Sequence, residues 1–530
     1  MSFHNSDIRG AIENVISALP THVQSGWQPS SASGHDAFHQ RPRVATSGVD
    51  SEVPITGTGD RCPPGDCPMS TVAVNGMPTR GLLRILGLAF GVATVVGGVV
   101  GMGILRTPGT IAGLLASPPL IYVVWLVGGI YALLAVNTYA ELATAVPRAG
   151  GPYVYVRRAF GNYLGFVTGW CDLANLTASM AFMGVACSEF LALLVPGVAG
   201  HESLVAPALI VTLAAVNSLG LKTGSALQQL LTLLKVLLLL ALVGAAFAYT
   251  GVTSGPALPA HSPATAAGVA AIIVALQLVV GVYTGYNGAC YFSEELTDPG
   301  RTLPRSMFVG TLLVIALFLF INAALLRILT PAALSASTLP AADALATLYG
   351  PSARTAVNLV AAASALAVLH ATVLLAPRVI YGMSRDGLFP QSGMYVTRSG
   401  VPLVAMWVAT GLAVTFTQMG NFVFLFALVT VICVFLDLLC ALALFMLRRR
   451  EPNLQRPFRA FGYPWVPGIV VTACTALLIA CILANPQPSL VAVAVMAAAV
   501  PLFRYVRPAR ARAGGEELAA TSSQQESRAE

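Results

Sequence analysis

The sequence predicts an all-α integral membrane protein of twelve spans, with the first and sixth spans broken. Three observations carry this: an apolar fraction too high for water, apolar runs of bilayer-crossing length, and a one-sided distribution of arginines. The 530 residues are 56% hydrophobic and 10% charged, with a mean hydropathy of +0.76. A soluble chain carries roughly 25% charged residues, so this one lacks the polar surface to cover several cores and takes the bilayer as its solvent. A formal charge of +7 would fit nucleic acid if the basic residues shared one face, and their positions below decide otherwise. Of the 29 basic residues only Lys222 and Lys235 are lysine, a bias of composition rather than of chemistry.

Residues 1–79 are rich in Ser, Pro, Gly, Asp and His, and their one apolar run is the short stretch Ala11–Leu19. That is too little apolar surface to offset ordering entropy, so a disordered cytoplasmic tail is expected. No apolar core precedes a small-residue cleavage site, so it does not read as a signal peptide. Cys62 and Cys67, in CPPGDC, lie among His4, His22, His35 and His39. Their spacing matches no zinc pattern, and neither metal nor cofactor is expected. Cys171, Cys187, Cys290, Cys433, Cys440, Cys474 and Cys481 fall in apolar segments, where thiols behave as small hydrophobes. The membrane domain is expected over 80–510, followed by a second disordered cytoplasmic tail at 511–530.

A membrane helix needs roughly 20 apolar residues. Such runs fall at about 84–115, 119–141, 161–196, 203–220, 225–250, 267–297, 305–329, 353–384, 402–418, 420–447, 465–484 and 488–506. With the N-terminus inside, the inward loops hold Arg80 and Arg84; Arg148, Arg157 and Arg158; Lys222; Arg301 and Arg305; Arg385 and Arg398. They also hold Arg448, Arg449, Arg450, Arg456 and Arg459, then Arg504, Arg507, Arg510 and Arg512. The outward loops hold only Arg327 and Arg354. One miscounted span would scramble this separation, so it supports both twelve spans and two cytoplasmic termini. The positive charge is therefore topological, and nucleic acid is not a partner.

The first span passes through Val96-Gly97-Gly98-Val99-Val100-Gly101-Met102-Gly103-Ile104, and the sixth through Tyr283-Thr284-Gly285-Tyr286-Asn287-Gly288. Each glycine weakens a helix by roughly 1 kcal/mol relative to alanine. Unwound backbone at mid-membrane is tolerated where it lines a cavity; close helix packing through small residues is the rival explanation for Gly91, Gly97 and Gly98. Paired interruptions at corresponding places in two halves point to an inverted repeat with its site at the breaks. The repeats would be residues ~84–250 and ~267–447, followed by a final pair of helices at ~465–506. N–H groups after Gly101 form a positive helix end suited to a carboxylate. Free carbonyls around Tyr283, Thr284 and Gly285 suit an ammonium. A ligand with both groups is an α-amino acid, and this assigns Val100, Gly101, Met102, Gly103, Ile104, Tyr283, Thr284, Gly285, Tyr286 and Asn287 to substrate binding.

These residues resemble the amino acid–polyamine–organocation (APC) superfamily. The first break is similar to its Gly-Ser/Ala-Gly-Ile signature, and Ala140–Tyr153 (AELATAVPRAGGPY) to its loop between helices 2 and 3. Tyr283–Asn287 followed by Ser293-Glu294-Glu295 and Asp298-Pro299 resembles its helix-6 motif. Arg378–Pro390 (RVIYGMSRDGLFP) and Arg456–Pro464 (RPFRAFGYP) resemble two later motifs. The resemblance spans residues ~82–506 and is nearest the L-type permeases and exchangers. It implies a leucine-transporter-type 5+5 fold and an amino-acid permease or antiporter working by alternating access. Two departures matter. Met102 stands where the family has Ser or Ala, removing a hydroxyl contact to the carboxylate. Gly281 stands where many members have a gating Phe, leaving Tyr283 or Tyr286 as lids. Eukaryotic light chains of this group join a glycoprotein partner through a cysteine between helices 3 and 4. The loop from Pro196 to Leu204 has none, so no disulfide-linked heavy chain is expected.

Lys235 lies ten residues after Ser225, so at ~1.5 Å per residue it sits ~15 Å deep, near the midplane. The resemblance implies that a lysine here occupies the place of the sodium ion bound by coupled relatives. Lys235 is expected to contact the first break, making transport sodium-independent, and either to carry a coupling proton or to hold the site together. Asp172, near Asn175 in the third span, is the second coupling candidate, ahead of Asp437 and His370. Glu141, Glu294, Glu295 and Asp298, opposite Arg148, Arg301, Arg305 and Arg385, are expected to form an inner gate of ion pairs, against the alternative of ordinary surface pairing.

An enzyme is not expected: the chain has no HExxH, no Gly-x-Ser-x-Gly elbow and no P-loop, and its inward loops are too short for a catalytic domain. A non-transporting amino-acid sensor on the same fold, and a polyamine or cationic amino-acid transporter, stand as alternatives. The sixth-span break offers Asn287 and no acid beside it, which leans towards neutral substrates. High arginine usage, a short outer face and no Asn-x-Ser/Thr site in an outward loop fit a bacterial inner membrane.

Overall fold

The computed structural model of the chain describes residues 73–74, 77–78, 81–248, 266–337, 339–419, 422–484 and 486–505. The expected tails at 1–79 and 511–530, with the Cys62/Cys67 cluster, lie outside the described residues, save a short hairpin pairing Ala73–Val74 with Met77–Pro78.

The first broken span is α1 (Leu88–Val99) and α2 (Gly103–Leu115), bent 43° across the break. Then come α3 (Pro118–Ala145), the short α4 (Pro152–Phe160), α5 (Asn162–Leu194), α6 (Glu202–Ser218) and α7 (Leu221–Ala248). The second half opens with α8 (Ala266–Tyr283), which gives way to an irregular turn and a 3-10 segment, Gly288–Phe292. It continues with α9 (Pro299–Ile328), α10 (Pro331–Ala336), α11 (Pro340–Tyr349), α12 (Ser352–Arg385), α13 (Leu403–Thr417) and α14 (Phe422–Arg450). The last pair is α15 (Trp465–Ala484) and α16 (Pro486–Tyr505).

Among the described residues, eight helices of 20 to 34 residues are long and apolar enough to cross a bilayer, α8 with its 3-10 segment makes a ninth span over Gly268–Phe292, and the bent pair α1–α2 makes a tenth. The segments expected at 203–220 and 402–418 form α6 and α13, apolar helices of 17 and 15 residues. Two expected loops contain helices. Residues 142–160 hold α4, whose proline start and Arg157-Arg158 finish leave no membrane-length run. The connection after α9 holds α10 and α11, each opened by a proline at its first turn, where a missing N–H costs nothing.

Burial shows how the helices are layered. In their most apolar windows α12 is 83% buried and α5 72%, whereas α15 and α16 are 22% and 17% buried. The first two pack along each other as the centre and the last two lie at the periphery. On α7, Leu230, Leu233 and Leu237 face outward while Gln228, Thr232 and Lys235 are buried. This reversal of the soluble pattern fits an apolar solvent. The start of the first span is tied to the end of the sixth: Ile85 N and Leu86 N donate to Glu295 O at 3.1 and 3.0 Å, and Thr297 N donates to Leu86 O at 3.0 Å. Asp298 caps α9 by accepting from Arg301 N, satisfying one of its orphan donors.

Candidate substrate site

Helix α1 stops because Val100 leaves helical geometry at φ −76°, ψ 88°, and α2 restarts at Gly103. The first N–H groups of α2 have no intrahelical acceptor and present a partial positive charge. Carbonyls near the end of α1 are met by three side chains of α7, spaced to lie on one face. Thr232 Oγ1 donates to Ala93 O at 3.1 Å, beside Gln228 Nε2 at 3.5 Å from the same oxygen. Lys235 Nζ donates to Gly97 O at 2.9 Å and to Val100 O at 2.6 Å. An ammonium at the negative end of a helix is favourably placed.

In the sixth span the chain turns at Gly285, whose φ of +108° lies in the region that favours glycine. The two breaks touch, since a Cβ on Gly285 would stand 3.1 Å from the backbone of Gly98. The carbonyl of Gly285, expected to be free, accepts from Gly288 N at 3.1 Å. Thr284 Oγ1 is turned onto Gly281 O at 2.7 Å.

Between the breaks, α5, α12 and α14 close a cavity of about 120 Å³, room for a small solute rather than a single water. Gly101, Met102 and Gly103 line it from the first break, and Thr284, Gly285 and Asn287 from the sixth. Asp172 lines it from α5. Val100 and Ile104 are buried without reaching its wall, and Lys235 is buried behind the first break.

The two tyrosines expected as lids are turned away. Tyr283 Oη donates to Trp125 O at 3.2 Å, and its ring packs against Trp125 and Phe318. Tyr286 Oη donates to Asp437 Oδ2 at 2.7 Å. The turn at Gly285 sends both rings into neighbouring helices. The aromatic cover is instead Phe182 of α5, edge-on to Phe426 of α14 with centroids 5.9 Å apart; both line the cavity. The Phe426 ring lies 3.8 Å from where a Cβ of Gly281 would stand. It fills space that the glycine leaves open, and only the emptiness at Gly281 hinted at it in the sequence.

Three buried polar groups surround the site. Asp437 Oδ1 accepts from Tyr139 Oη at 2.7 Å while its other oxygen takes Tyr286. Asp172 Oδ1 accepts from Tyr291 Oη at 2.8 Å. His370 does not line the cavity; its Nδ1 lies 2.7 Å from Gln228 Oε1 and its Nε2 3.1 Å from Asn217 Oδ1. It thereby anchors Gln228, one of the three α7 side chains at the first break, to α6.

Ion pairs gather at the end of the bundle expected to face inward, with partners that differ from expectation. Glu294 pairs with Arg385 as expected. Glu295 pairs with Arg378 through two bonds of 2.9 Å, fully buried. Glu141 takes Arg448 and Arg456 rather than Arg148. Arg157 pairs with Asp386, and Arg158 with Glu451. The Arg158 guanidinium holds the Glu451 carboxyl below its usual range. Spacing along the sequence favoured neighbours across one loop, whereas folding brings loops from distant spans together.

The chain matches the amino acid permease family over residues 83–503. It is 24% identical to a serine/threonine exchanger of Bacillus subtilis (strain 168), covering 82% of this chain and 99% of that protein. It is 25% identical to the b(0,+)-type amino acid transporter 1 of Mus musculus, over 77% of this chain and 85% of the relative. A branched-chain amino acid permease of Lactococcus lactis subsp. cremoris (strain MG1363) is 26% identical, over 72% and 85%.

Proposed function

This chain belongs to the amino acid permease family, within the APC superfamily and near its L-type group, and from that premise we propose that it is a secondary transporter moving amino acids by alternating access. It is a multi-pass membrane protein whose relatives are amino-acid exchangers, transporters and permeases rather than enzymes. One observation carries the mechanistic reading: the cavity lies where two interrupted helices touch. The substrate carboxylate takes the N–H end of α2, where Gly103 lines the cavity, and the ammonium takes the carbonyl of Thr284 at the sixth-span break. Met102, buried in the cavity wall, offers shape rather than a hydroxyl.

Transport is sodium-independent in this reading. The Lys235 ammonium already occupies the carbonyls of Gly97 and Val100, the oxygens a cation at the first break would need. Helices α6 and α13 count as spans beside the ten longer ones, giving twelve, with a 5+5 inverted repeat ahead of α15 and α16. The arginine asymmetry supports cytoplasmic termini and an inner-membrane location. The absence of cysteine between Pro196 and Leu204 supports a transporter that works without a disulfide-linked heavy chain.

Uptake of the twenty amino acids into proteoliposomes, in sodium and in choline and across pH, tests this reading. Saturable flux of at least one amino acid, equal in both salts, is expected. Strict sodium dependence overturns the role given to Lys235, and saturable binding without flux favours a sensor.

A further inference from the structure

We propose that the transported amino acid carries a second cationic group, an ammonium or guanidinium at the end of its side chain, received by Asp172 and Asn175. This rests on the transport reading above and names its substrate class. The lean towards neutral substrates came from the absence of an acid beside the sixth-span break, and in the fold the acid arrives from α5. Asp172, Asn175 and Ser179 are spaced three and four residues apart, on one face of that helix, and all three line the cavity.

The two carboxylates of the cavity wall differ in what they lack. Both oxygens of Asp437 accept from tyrosine hydroxyls, so that group is complete without a ligand. Asp172 is fully buried; Tyr291 satisfies Oδ1, and Oδ2 has no partner among the described residues. One turn further along, Asn175 is 8% exposed and its Oδ1 is likewise unpartnered. Two buried acceptors without donors, on residues that line one cavity, are costly, and most so for a carboxylate. An ammonium brings three N–H donors and no acceptor, and a guanidinium brings five. An aliphatic side chain brings none and would leave Asp172 Oδ2 unpaired.

The test compares L-lysine with L-norleucine, which has the same carbon chain and no terminal ammonium, in proteoliposomes of the full chain. Wild-type protein is expected to favour lysine by at least about tenfold in apparent affinity, since a site built around polar groups rejects an analogue that leaves them unpaired. In Asp172→Asn the lysine-to-norleucine ratio should fall to near one, and Asn175→Leu should lower it part-way. Norleucine moving with equal or better affinity than lysine overturns the proposal while leaving amino-acid transport standing. So does an Asp172→Asn variant that keeps the lysine preference, which would mark the carboxyl as a proton carrier or a structural group. Flux of no amino acid at all removes the transport reading and this one with it. If the variants do not fold, the wild-type ratio alone decides.

Discussion

Lys235 Nζ bridges the carbonyl oxygens of Gly97, at 2.9 Å, and Val100, at 2.6 Å. One ammonium from α7 thus satisfies two backbone acceptors at the point where the first span unwinds, and it does so without reaching the cavity. In the proposed reading its effect on substrate is indirect, through where α1 ends and so where the N–H groups of α2 point. Lys235→Met keeps an unbranched apolar stem one heavy atom shorter and removes both bonds. Hydrogen bonds to a charged group contribute about 1.5–3 kcal/mol each, so the variant should melt earlier in detergent and lose most of its uptake. Retention of more than half the wild-type uptake with unchanged melting would remove Lys235 from the mechanism.

The glycines of the two breaks should differ in tolerance to alanine, because different atoms crowd them. A Cβ at Gly97 would stand 2.1 Å from Gln228 Nε2 and 2.7 Å from Thr232 Oγ1. Gln228 cannot swing away freely, because its other end meets His370. At Gly285 the obstacle is the backbone of Gly98 together with a φ of +108°. At Gly103 it is Val282 Cγ2 at 2.8 Å, and at Gly101 only Val368 Cγ2 at 3.3 Å. Overpacking costs typically about 1–3 kcal/mol. Gly97→Ala and Gly285→Ala should therefore destabilise most, Gly103→Ala less and Gly101→Ala least. Melting temperatures of the four purified variants give the order directly, and a Gly101→Ala protein less stable than Gly97→Ala contradicts it.

The pairs at the loop-rich end fall into two energetic classes. Arg378 and Glu295 are 1% and 0% exposed, and the guanidinium also donates to Leu374 O and lies 4.6 Å from the centroid of the Phe292 ring. Removing one partner of such a pair strands a buried charge and costs about 3–5 kcal/mol. Arg385 and Glu294 are each about a fifth exposed, and exposed pairs contribute about 0–1 kcal/mol. Glu295→Gln should fail to accumulate or melt far below wild type, whereas Glu294→Gln should melt near wild type. Equal melting of the two variants would place both pairs in the same class.

How much of this was readable in the sequence depended on the range of the interaction. The breaks at Gly101–Gly103 and Thr284–Asn287 were legible because glycine density is local, and Lys235 because depth follows from counting residues along a helix. The pairing of Glu295 with Arg378 was not, since 83 positions separate them and a loop offered nearer arginines. The turn at Gly285 decides that Tyr283 and Tyr286 leave the cavity, and no spacing rule states the direction of a side chain beyond a positive φ. Phe182 and Phe426 sit in apolar runs where every position reads alike. Asp172 was visible as a charge out of place, but which of its oxygens lacks a partner is a matter of distance and not of sequence.

Asp437 joins the sixth-span break to the scaffold through two hydroxyls of unequal consequence. Tyr139 belongs to α3, a continuous helix, and Tyr286 to the unwound segment between α8 and the 3-10 turn. The two rings also meet edge-on with centroids 6.0 Å apart. Removing either hydroxyl leaves one carboxylate oxygen short of a donor, at about 1.5–3 kcal/mol. Tyr139→Phe should lower the melting temperature while changing the KM for the transported amino acid little, because Tyr286 still pins the break. Tyr286→Phe frees the segment carrying Thr284, Gly285 and Asn287, all in the cavity wall, and should raise KM severalfold as well as lower the melting temperature. The double variant should cost less than the sum of the two, since a carboxylate that has lost one donor is already free to reorganise. Uptake kinetics beside melting curves separate these effects, and a KM that rises equally in both single variants would mean that Asp437 acts on the cavity as a charge rather than as an anchor.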